Sequence, residues 1–304
     1  MTTLILDTDG GVDDAQALLM LLRNGRVPDA ITTVFGNVPL AQATDNILAV
    51  LAVAGADVPV HAGAVQPLAQ APVHAQYIHG DDGLGGAPRP PAQGVPAGHD
   101  APGFICDQAR AAAEQGAVVD LLMIGPLTNL ALALHRDPGI VRGVGRVTIM
   151  GGTLNGRGNT TPAAEFNIYV DPVAAAEVFA SGVDLVVVPL DVTHRALTNR
   201  AWVETMRGHG RVGAVVASWT DFFERYDRAK YGHEGAPLHD PCAVAWLVAP
   251  QLFTHRAVAA EVVRRLRDPV LSKLSLGVVT FNAEQQRLIE DLLDAERRAD
   301  PGLE

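Results

Sequence analysis

Short apolar runs alternate along this chain with longer stretches whose apolar positions recur three and four residues apart. Leu4-Ile5-Leu6 leads into Ala15, Ala17, Leu18, Leu19, Leu21 and Leu22, which reads as a strand and then a helix over about 13–24. The couplet recurs as a strand at 30–34 with a helix at 40–54, and a short strand follows near 58–61. Further strands are predicted at 118–124, 147–150 and 183–190. Helices are predicted near 104–115, after Gly125-Pro126-Leu127-Thr128-Asn129, from Asp171-Pro172 with proline at the first helical position, over 200–228, and from Asp240-Pro241. Continuous Val/Ile/Leu strands separated by helices predict an α/β fold. The expected form is a single large domain, its mostly parallel central sheet flanked by helices on both faces.

Two stretches break the rhythm. Residues 62–103 are rich in Gly, Pro, Ala and His with little periodicity, and 153–168 form a second polar loop. Long loops in compact domains are usually functional. The pattern places the main domain at 1–260 and leaves 261–304 as an atypical strand and helix segment.

The polar positions carry more than the apolar ones. Asp7-Thr8-Asp9-Gly10-Gly11-Val12-Asp13-Asp14 sets four carboxylates at the carboxyl end of the first strand and in the first turn of the helix after it. Open α/β sheets place ligands there. Helix capping accounts for one or two aspartates, not four. Two carboxylates ~5 Å apart repel by about 3 kcal/mol at an effective dielectric near 20, so the cluster needs a proton, a hydrogen-bond network or a cation. An all-oxygen set favours Ca²⁺ or Mg²⁺. Other polar residues follow other strands: Asn37, then Thr128 and Asn129, then Asn159, Glu165 and Asn167, then Asp191 and His194. Each alone has a capping or turn explanation. Together along one rim they suggest a pocket for a hydroxyl-rich ligand beside a metal. His239-Asp240 adds an acid–base candidate next to a carboxylate at a helix start, where Asp240 is a credible N-cap.

Composition narrows the partners. The 304 residues are 48% hydrophobic and 19% charged, enough for a large aliphatic core, and the net charge is −11. With no basic stripe, a nucleic-acid or anionic membrane surface is not expected. No leader pattern or membrane span is read at the N-terminus or elsewhere, and Cys106 and Cys242 lack metal or redox spacing, so a cytoplasmic protein is expected.

The ordered set of segments 7–18, 34–37, 79–85, 125–129, 150–152, 158–172, 189–194 and 239–243 resembles the inosine–uridine nucleoside ribohydrolase family over about residues 1–255. The resemblance implies a Rossmann-like nucleoside hydrolase fold and Ca²⁺-dependent cleavage of the N-glycosidic bond of ribonucleosides in purine and pyrimidine salvage. It implies metal ligation by Asp9, Asp14, Asp240 and the Ile124 carbonyl. Asp13 then takes a proton from a water held on the metal. Asn37, Asn159, Glu165 and Asn167 hold the ribose hydroxyls, and His239 helps the base depart. His79 and Tyr231 are implied in the pocket, with Asp7 behind it. A homodimer or homotetramer is also implied. The base preference is not.

Two departures stand out. Gly10 occupies a position where the family usually has proline, and the segment 275–293 resembles a short piece of superfamily-1 helicase C-terminal domains. No Gly-x-x-x-x-Gly-Lys-Ser/Thr motif exists in the chain, so ATPase activity does not follow. Two competing readings remain. One is a phosphatase of the haloacid-dehalogenase type, suggested by Asp7-Thr8-Asp9-Gly10 but poorly served by Lys230 and Lys273. The other is a catalytically impaired nucleoside-binding protein of the same fold.

Overall fold

The computed structural model describes residues 2–88, 90–154, 157–232, 235–257, 259–262 and 278–281; the side chains of 227, 231, 259–262 and 278–281 lie outside that description. Six strands form one parallel sheet. They are β1 (Thr3–Thr8), β2 (Ala30–Thr33), β3 (Val60–Ala62), β4 (Val119–Met123), β5 (Val144–Met150) and β6 (Asp184–Val188), in the order β3-β2-β1-β4-β5-β6. Every pairing in this sheet is parallel, as the unbroken apolar runs predict.

Alternate side chains of each central strand serve opposite cores. Leu4 and Leu6 of β1, with Leu122 of β4, pack under α1 (Val12–Arg23), α2 (Leu40–Ala54) and later helices of that face. Ile5, Leu121 and Met123 face the other way. They meet α4 (Ala101–Glu114), α5 (Thr128–Arg136) and α7 (Pro172–Ala180). The period of two along a strand thus builds two aliphatic layers from one sheet.

The chain winds outward from β1 to β3, then returns to add β4 on the other side of β1. The direction of winding therefore reverses between β1 and β4, and the carboxyl ends of these two strands flank the crevice where such sheets bind ligands. The aspartate segment leaves β1 at that crevice and Ile124-Gly125 leaves β4 beside it; Ile124 N–H donates to the Asp7 carbonyl at 2.9 Å. A side chain at Gly125 would stand 3.1 Å from the Asp9 nitrogen, which shows how closely the two exits approach.

Some boundaries differ from the sequence expectation. The strand expected over 183–190 stops at Val188, because Pro189 has no N–H to continue the ladder, and Leu190–Thr193 turns into a short helix, α8. The helix expected over 200–228 is two, α9 (Arg200–Arg207) and α10 (Gly210–Tyr231); Gly208 ends the first, and Gly210 starts the second at φ +70°. The loop 62–103 contains one helical turn, α3 (Gln76–His79), between the last residues of β3 and the start of α4. Helix α6 (Phe166–Val170) closes the second polar loop, and α11 (His239–Val248) packs along α1.

The expected division near residue 260 falls at an antiparallel pair, β7 (Ala259–Val262) and β8 (Val278–Phe281). The helix expected within 261–304 lies outside the described residues.

Candidate active site

The site starts from a turn that only glycine allows. Gly10 sits at φ +72°, and a side chain there would lie 2.6 Å from the Ala43 Cα in α2. Proline, fixed near φ −65°, does not fit this conformation, so the glycine is a different way of making the turn rather than a loosened proline turn. Past it, α1 begins at Val12 and puts Asp13 and Asp14 in its first turn, both buried.

Asp14 is a hub. One of its oxygens accepts from Gly11 N–H at 2.8 Å; the other accepts from Asp9 N–H at 3.1 Å and from the Thr8 hydroxyl. The capping explanation is therefore true of Asp14, but it leaves Asp9 and Asp13 unexplained. Asp9 is held from the next strand exit. Its carboxylate accepts from Asn37 N–H at 2.7 Å and from the Asn37 side-chain amide at 3.0 Å. The same amide nitrogen reaches Asp14 at 3.1 Å. In this structure the Asn37 amide thus donates to two carboxylates, which leaves its Oδ1 for another partner.

Helix α11 brings the fourth acid. The helix starts one residue earlier than expected, at His239, so Asp240 lies within the first turn rather than at the cap. Its packing on α1 sets Asp240 beside Asp13 and Asp14: these three buried residues each offer an oxygen within 4.8 Å of the others. Asp9 is not one of this trio. Burial pushes the Asp240 carboxyl well above its usual range, and the charges of Asp13, Asp14, Asp9 and Glu165 push it further. Burial and Asp14 raise Asp9 likewise. At 4.8 Å and an effective dielectric near 20, each pair of charges repels by about 3.5 kcal/mol. Among the described residues, no lysine or arginine lines the cleft these acids face. The donors are all hard oxygens, which fit a cation such as Ca²⁺ or Mg²⁺.

That cleft, about 600 Å³ with the open solvent at its mouth included, is lined by Asp13, Asn37, Ile124, Asn159, Glu165, Asn167, His79, His239 and Asp240 among others. The structure therefore gathers these nine sequence-predicted residues, drawn from distant segments, around one space, while Asp9 and Asp14 are fully buried and do not line it. Asp7 stays out of it. Fully buried, it accepts from the Thr32 hydroxyl at 2.6 Å and the Asn129 amide at 2.7 Å, while burial pushes its carboxyl up to about 7. Asn129 also donates to the Thr33 carbonyl at 3.0 Å and accepts from Ala64 N–H at 2.9 Å, so this pair ties the central strand exits together.

On the other wall, Glu165 caps α6. It accepts from the N–H groups of Asn167 at 2.9 Å, Ile168 at 3.2 Å and Gly152 at 3.0 Å. Burial pushes it up to about 7 against those donors, which favour the anion. The Asn167 amide spans the exits of β4 and β5, donating to the Ile124 carbonyl at 2.9 Å and the Met150 carbonyl at 3.1 Å. Asn159 Oδ1 accepts from Phe166 N–H at 2.9 Å.

Both histidines expected in the pocket are there. The Nδ1 of His79 accepts from Val12 N–H at 3.1 Å, which fixes the proton of the neutral ring on Nε2. His239 shares a 2.8 Å hydrogen bond with the Thr193 hydroxyl and lies edge-on to His194 at 5.5 Å. Burial lowers His79 to about 4 and, with His194 and His79 nearby, His239 to about 3. Both rings are neutral near pH 7, so His239 is no standing cation, and its Nε2 is a hydrogen-bond donor in the tautomer in which the Thr193 hydroxyl donates to Nδ1.

The sequence reading expects the base to be recognised by segments 74–86 and 221–238 but names none of the side chains of the apolar wall. Ile78, Phe166, Phe223 and Tyr226 line the cleft, and the Phe223 ring lies 5.2 Å from His79. Phe223 and Tyr226 stand three apart on α10, a helical stripe visible in the sequence but attributable to ordinary core packing. The Tyr231 side chain, expected in the pocket, lies outside the described residues.

The sequence profile of the inosine-uridine preferring nucleoside hydrolases matches residues 4–290. An uncharacterized protein of Schizosaccharomyces pombe is 41% identical over 295 residues, covering 95% of this chain and 94% of its own. The pyrimidine-specific ribonucleoside hydrolase RihA of Salmonella agona is 41% identical over 255 residues, covering 83% of this chain and 81% of its own. Among solved structures, the purine-preferring ribonucleoside hydrolase from Gardnerella vaginalis superposes with a TM-score of 0.81 at 29% identity, covering 95% of this chain and 96% of that one.

Proposed function

The chain belongs to the inosine-uridine preferring nucleoside hydrolase family, and from that premise we propose a Ca²⁺-dependent hydrolase with Asp13 as its base and pyrimidine ribonucleosides as its preferred substrates. Hydrolysis of the N-glycosyl bond of ribonucleosides is the activity of the family and of its named relatives. The observation that carries the finer reading is the convergence of Asp13, Asp14 and Asp240 in a cleft whose other walls offer amides, imidazoles and an aromatic face. A haloacid-dehalogenase-type phosphatase, one competing reading, does not stand beside this family membership.

Asp14, Asp240, Asp9 and the Ile124 carbonyl would hold the cation. When bound, it would supply the charge that keeps the crowded carboxylates ionised and a Lewis-acidic centre for water and the ribose diol. Asn37 and Asn167 would then exchange part of their present bonds to Asp9, Asp14 and Ile124 for the ligand.

Cleavage builds positive charge on the ribose ring. Glu165 and the aspartates stabilise that charge because they are buried and already placed, so little reorganisation is needed as it develops. Asp13 accepts the proton of the attacking water. A positioned base typically contributes 10²–10⁴-fold. Phe223, Tyr226, Ile78 and Phe166 offer apolar faces for the planar base, and His79 and His239, which line the same cleft, would meet its polar atoms. Both rings are held neutral; His79 donates to the developing anion from Nε2–H, and His239 does so in the tautomer in which the Thr193 hydroxyl donates to its Nδ1.

The pyrimidine preference rests on similarity. Identity is 41% to the pyrimidine-specific relative and 29% to the purine-preferring one. Ribose release from uridine, cytidine, inosine and adenosine, each with Ca²⁺ and with a chelator, tests both parts. Chelator-sensitive release, faster from uridine and cytidine, is expected. Chelator-resistant release would overturn the metal assignment, and faster release from inosine would overturn the base preference.

A further inference from the structure

The loop over 157–165 carries Asn159 and ends at Glu165, both of which line the cleft. Its own bonds are short-range: Gly158 N–H donates to the Pro162 carbonyl at 3.1 Å, and Thr160 N–H to the Ala164 carbonyl at 3.1 Å. Upstream, Asp191 accepts from Leu154 N–H at 2.7 Å and from the Thr153 hydroxyl at 3.1 Å, which fixes the start of the segment after β5. Downstream, Glu165 caps α6. Between these two anchors, a contact comes from a remote element. Lys230, in the last turn of α10, donates from Nζ to the Asn159 carbonyl and, at 3.0 Å, to the Tyr226 hydroxyl. The same ammonium lies 5.1 Å from the Tyr226 ring centroid, and Tyr226 in turn meets Tyr77 edge-on at 5.7 Å.

We propose that Lys230 is a positioning residue for the substrate, a clasp that joins the Asn159 loop to the aromatic wall of α10 across the mouth of the cleft. Asn159 Oδ1 is already occupied by Phe166 N–H, so its amide nitrogen is what it can offer a ligand. Fixing the Asn159 carbonyl fixes the plane from which that amide points. Fixing the Tyr226 hydroxyl as an acceptor from Lys230 leaves the phenol proton to be donated elsewhere. Lys230 therefore orders one group from each side of the cleft with a single cation. A lysine suits this role because one ammonium has three donors to distribute. The stakes are those of pre-organisation: a loop that must be ordered on binding weakens affinity without altering the bond-breaking step.

This inference rests on the ribonucleoside hydrolase reading for its kinetic arm only. The test compares wild type, K230M, K230R and Y226F by two measurements. The first is amide hydrogen exchange in the peptide spanning 157–165, with no substrate present. The second is kcat and KM for uridine and inosine. K230M keeps the length of the stem and removes the donors. Exchange at 157–165 should quicken in K230M, KM should rise about three- to ten-fold, and kcat should stay within about two-fold. K230R should recover most of both effects, and Y226F should raise KM while leaving exchange at 157–165 close to wild type. Unchanged exchange in K230M would overturn the clasp whether or not the enzyme turns over. Faster exchange with unchanged KM would overturn its role in positioning. A wild-type protein that releases no ribose would instead sink the hydrolase reading, and the exchange arm would still decide the clasp.

Discussion

Replacing Gly36 with alanine should damage the metal site without touching any carboxylate. Gly36 follows Phe35 just past the end of β2, and its backbone passes over the Asp9 side chain. A methyl group there would stand 1.9 Å from Asp9 Oδ2 and 2.7 Å from its Cγ. Carbon and oxygen need a little over 3 Å, so one of them must move by more than about 1 Å. Asp9 cannot yield freely. Its Oδ2 accepts from Asn37 N–H at 2.7 Å and its Oδ1 from the Asn37 amide at 3.0 Å. Bonds to a charged group contribute about 1.5–3 kcal/mol each, so losing both at the fully buried Asp9 costs about 3–6 kcal/mol. Protonation of Asp9, already favoured by burial, recovers part of this. We therefore expect G36A to lose about 3 kcal/mol in urea denaturation and at least ten-fold in Ca²⁺ affinity by calorimetry. G208A is the control. That glycine has φ −77°, and an added methyl would meet only the Thr205 carbonyl, at 3.3 Å. Its stability should change by less than about 1 kcal/mol. A G36A protein with wild-type stability and wild-type Ca²⁺ affinity would refute both the packing argument and the placement of Asp9 beside the metal.

Other outcomes follow from the same geometry. In metal-free protein Asp7 keeps its proton up to about 7, whereas in the unfolded chain it loses it near 3.8; between those values the fold binds a proton the unfolded chain has released, so stability falls as pH rises. That contribution amounts to about 4 kcal/mol, and urea titrations of chelated D7N between pH 4 and 8 should be flatter than wild type by that order. Equal slopes would exclude it. D13N should lose about 10²–10⁴-fold in kcat. Calorimetry should find its Ca²⁺ affinity less impaired than that of D14N or D240N, and the reverse ranking would make Asp13 a ligand. Because His79 and His239 stay neutral down to about 4 and about 3, kcat should show no loss between pH 5 and 8 assignable to either ring, a point read by comparing the pH profiles of wild type and H239Q.

The sequence carried the sheet and most of the site for definable physical reasons. Leu4-Ile5-Leu6 and the strand runs like it are apolar on both faces, which only a doubly covered parallel strand needs. The crowding of Asp7, Asp9, Asp13 and Asp14 survives any uncertainty about boundaries, because a carboxylate cluster next to a strand exit has few structural uses. Asp240 could be placed beside them only through the family resemblance, since nothing local says that α11 packs on α1. Boundaries failed where proline or glycine overrode the apolar pattern, at Pro189 and between Gly208 and Gly210. The division of labour among the acids was not legible either. That Asn37 would spend its amide on Asp9 and Asp14, or that Asp14 would also cap its helix, depends on side-chain directions that no spacing encodes. Tyr226 was hidden for a similar reason: an aromatic on a long amphipathic helix looks the same whether it meets a core or a cleft. Lys230 entered the sequence reading only as a lysine that serves a phosphatase poorly; its bond to the Asn159 carbonyl depends on how the 157–165 loop folds, which no spacing encodes.

The most direct test of the central claim is free ribose release from uridine by the purified protein, first with a chelator and then after Ca²⁺ is restored, with D240N measured alongside. The account predicts release with Ca²⁺, its loss in chelator, its recovery on adding Ca²⁺ back, and little or none from D240N under the same conditions. Equal release in chelator, or wild-type release from D240N, would contradict the claim that the carboxylates of α1 and α11 converge to hold a catalytic cation.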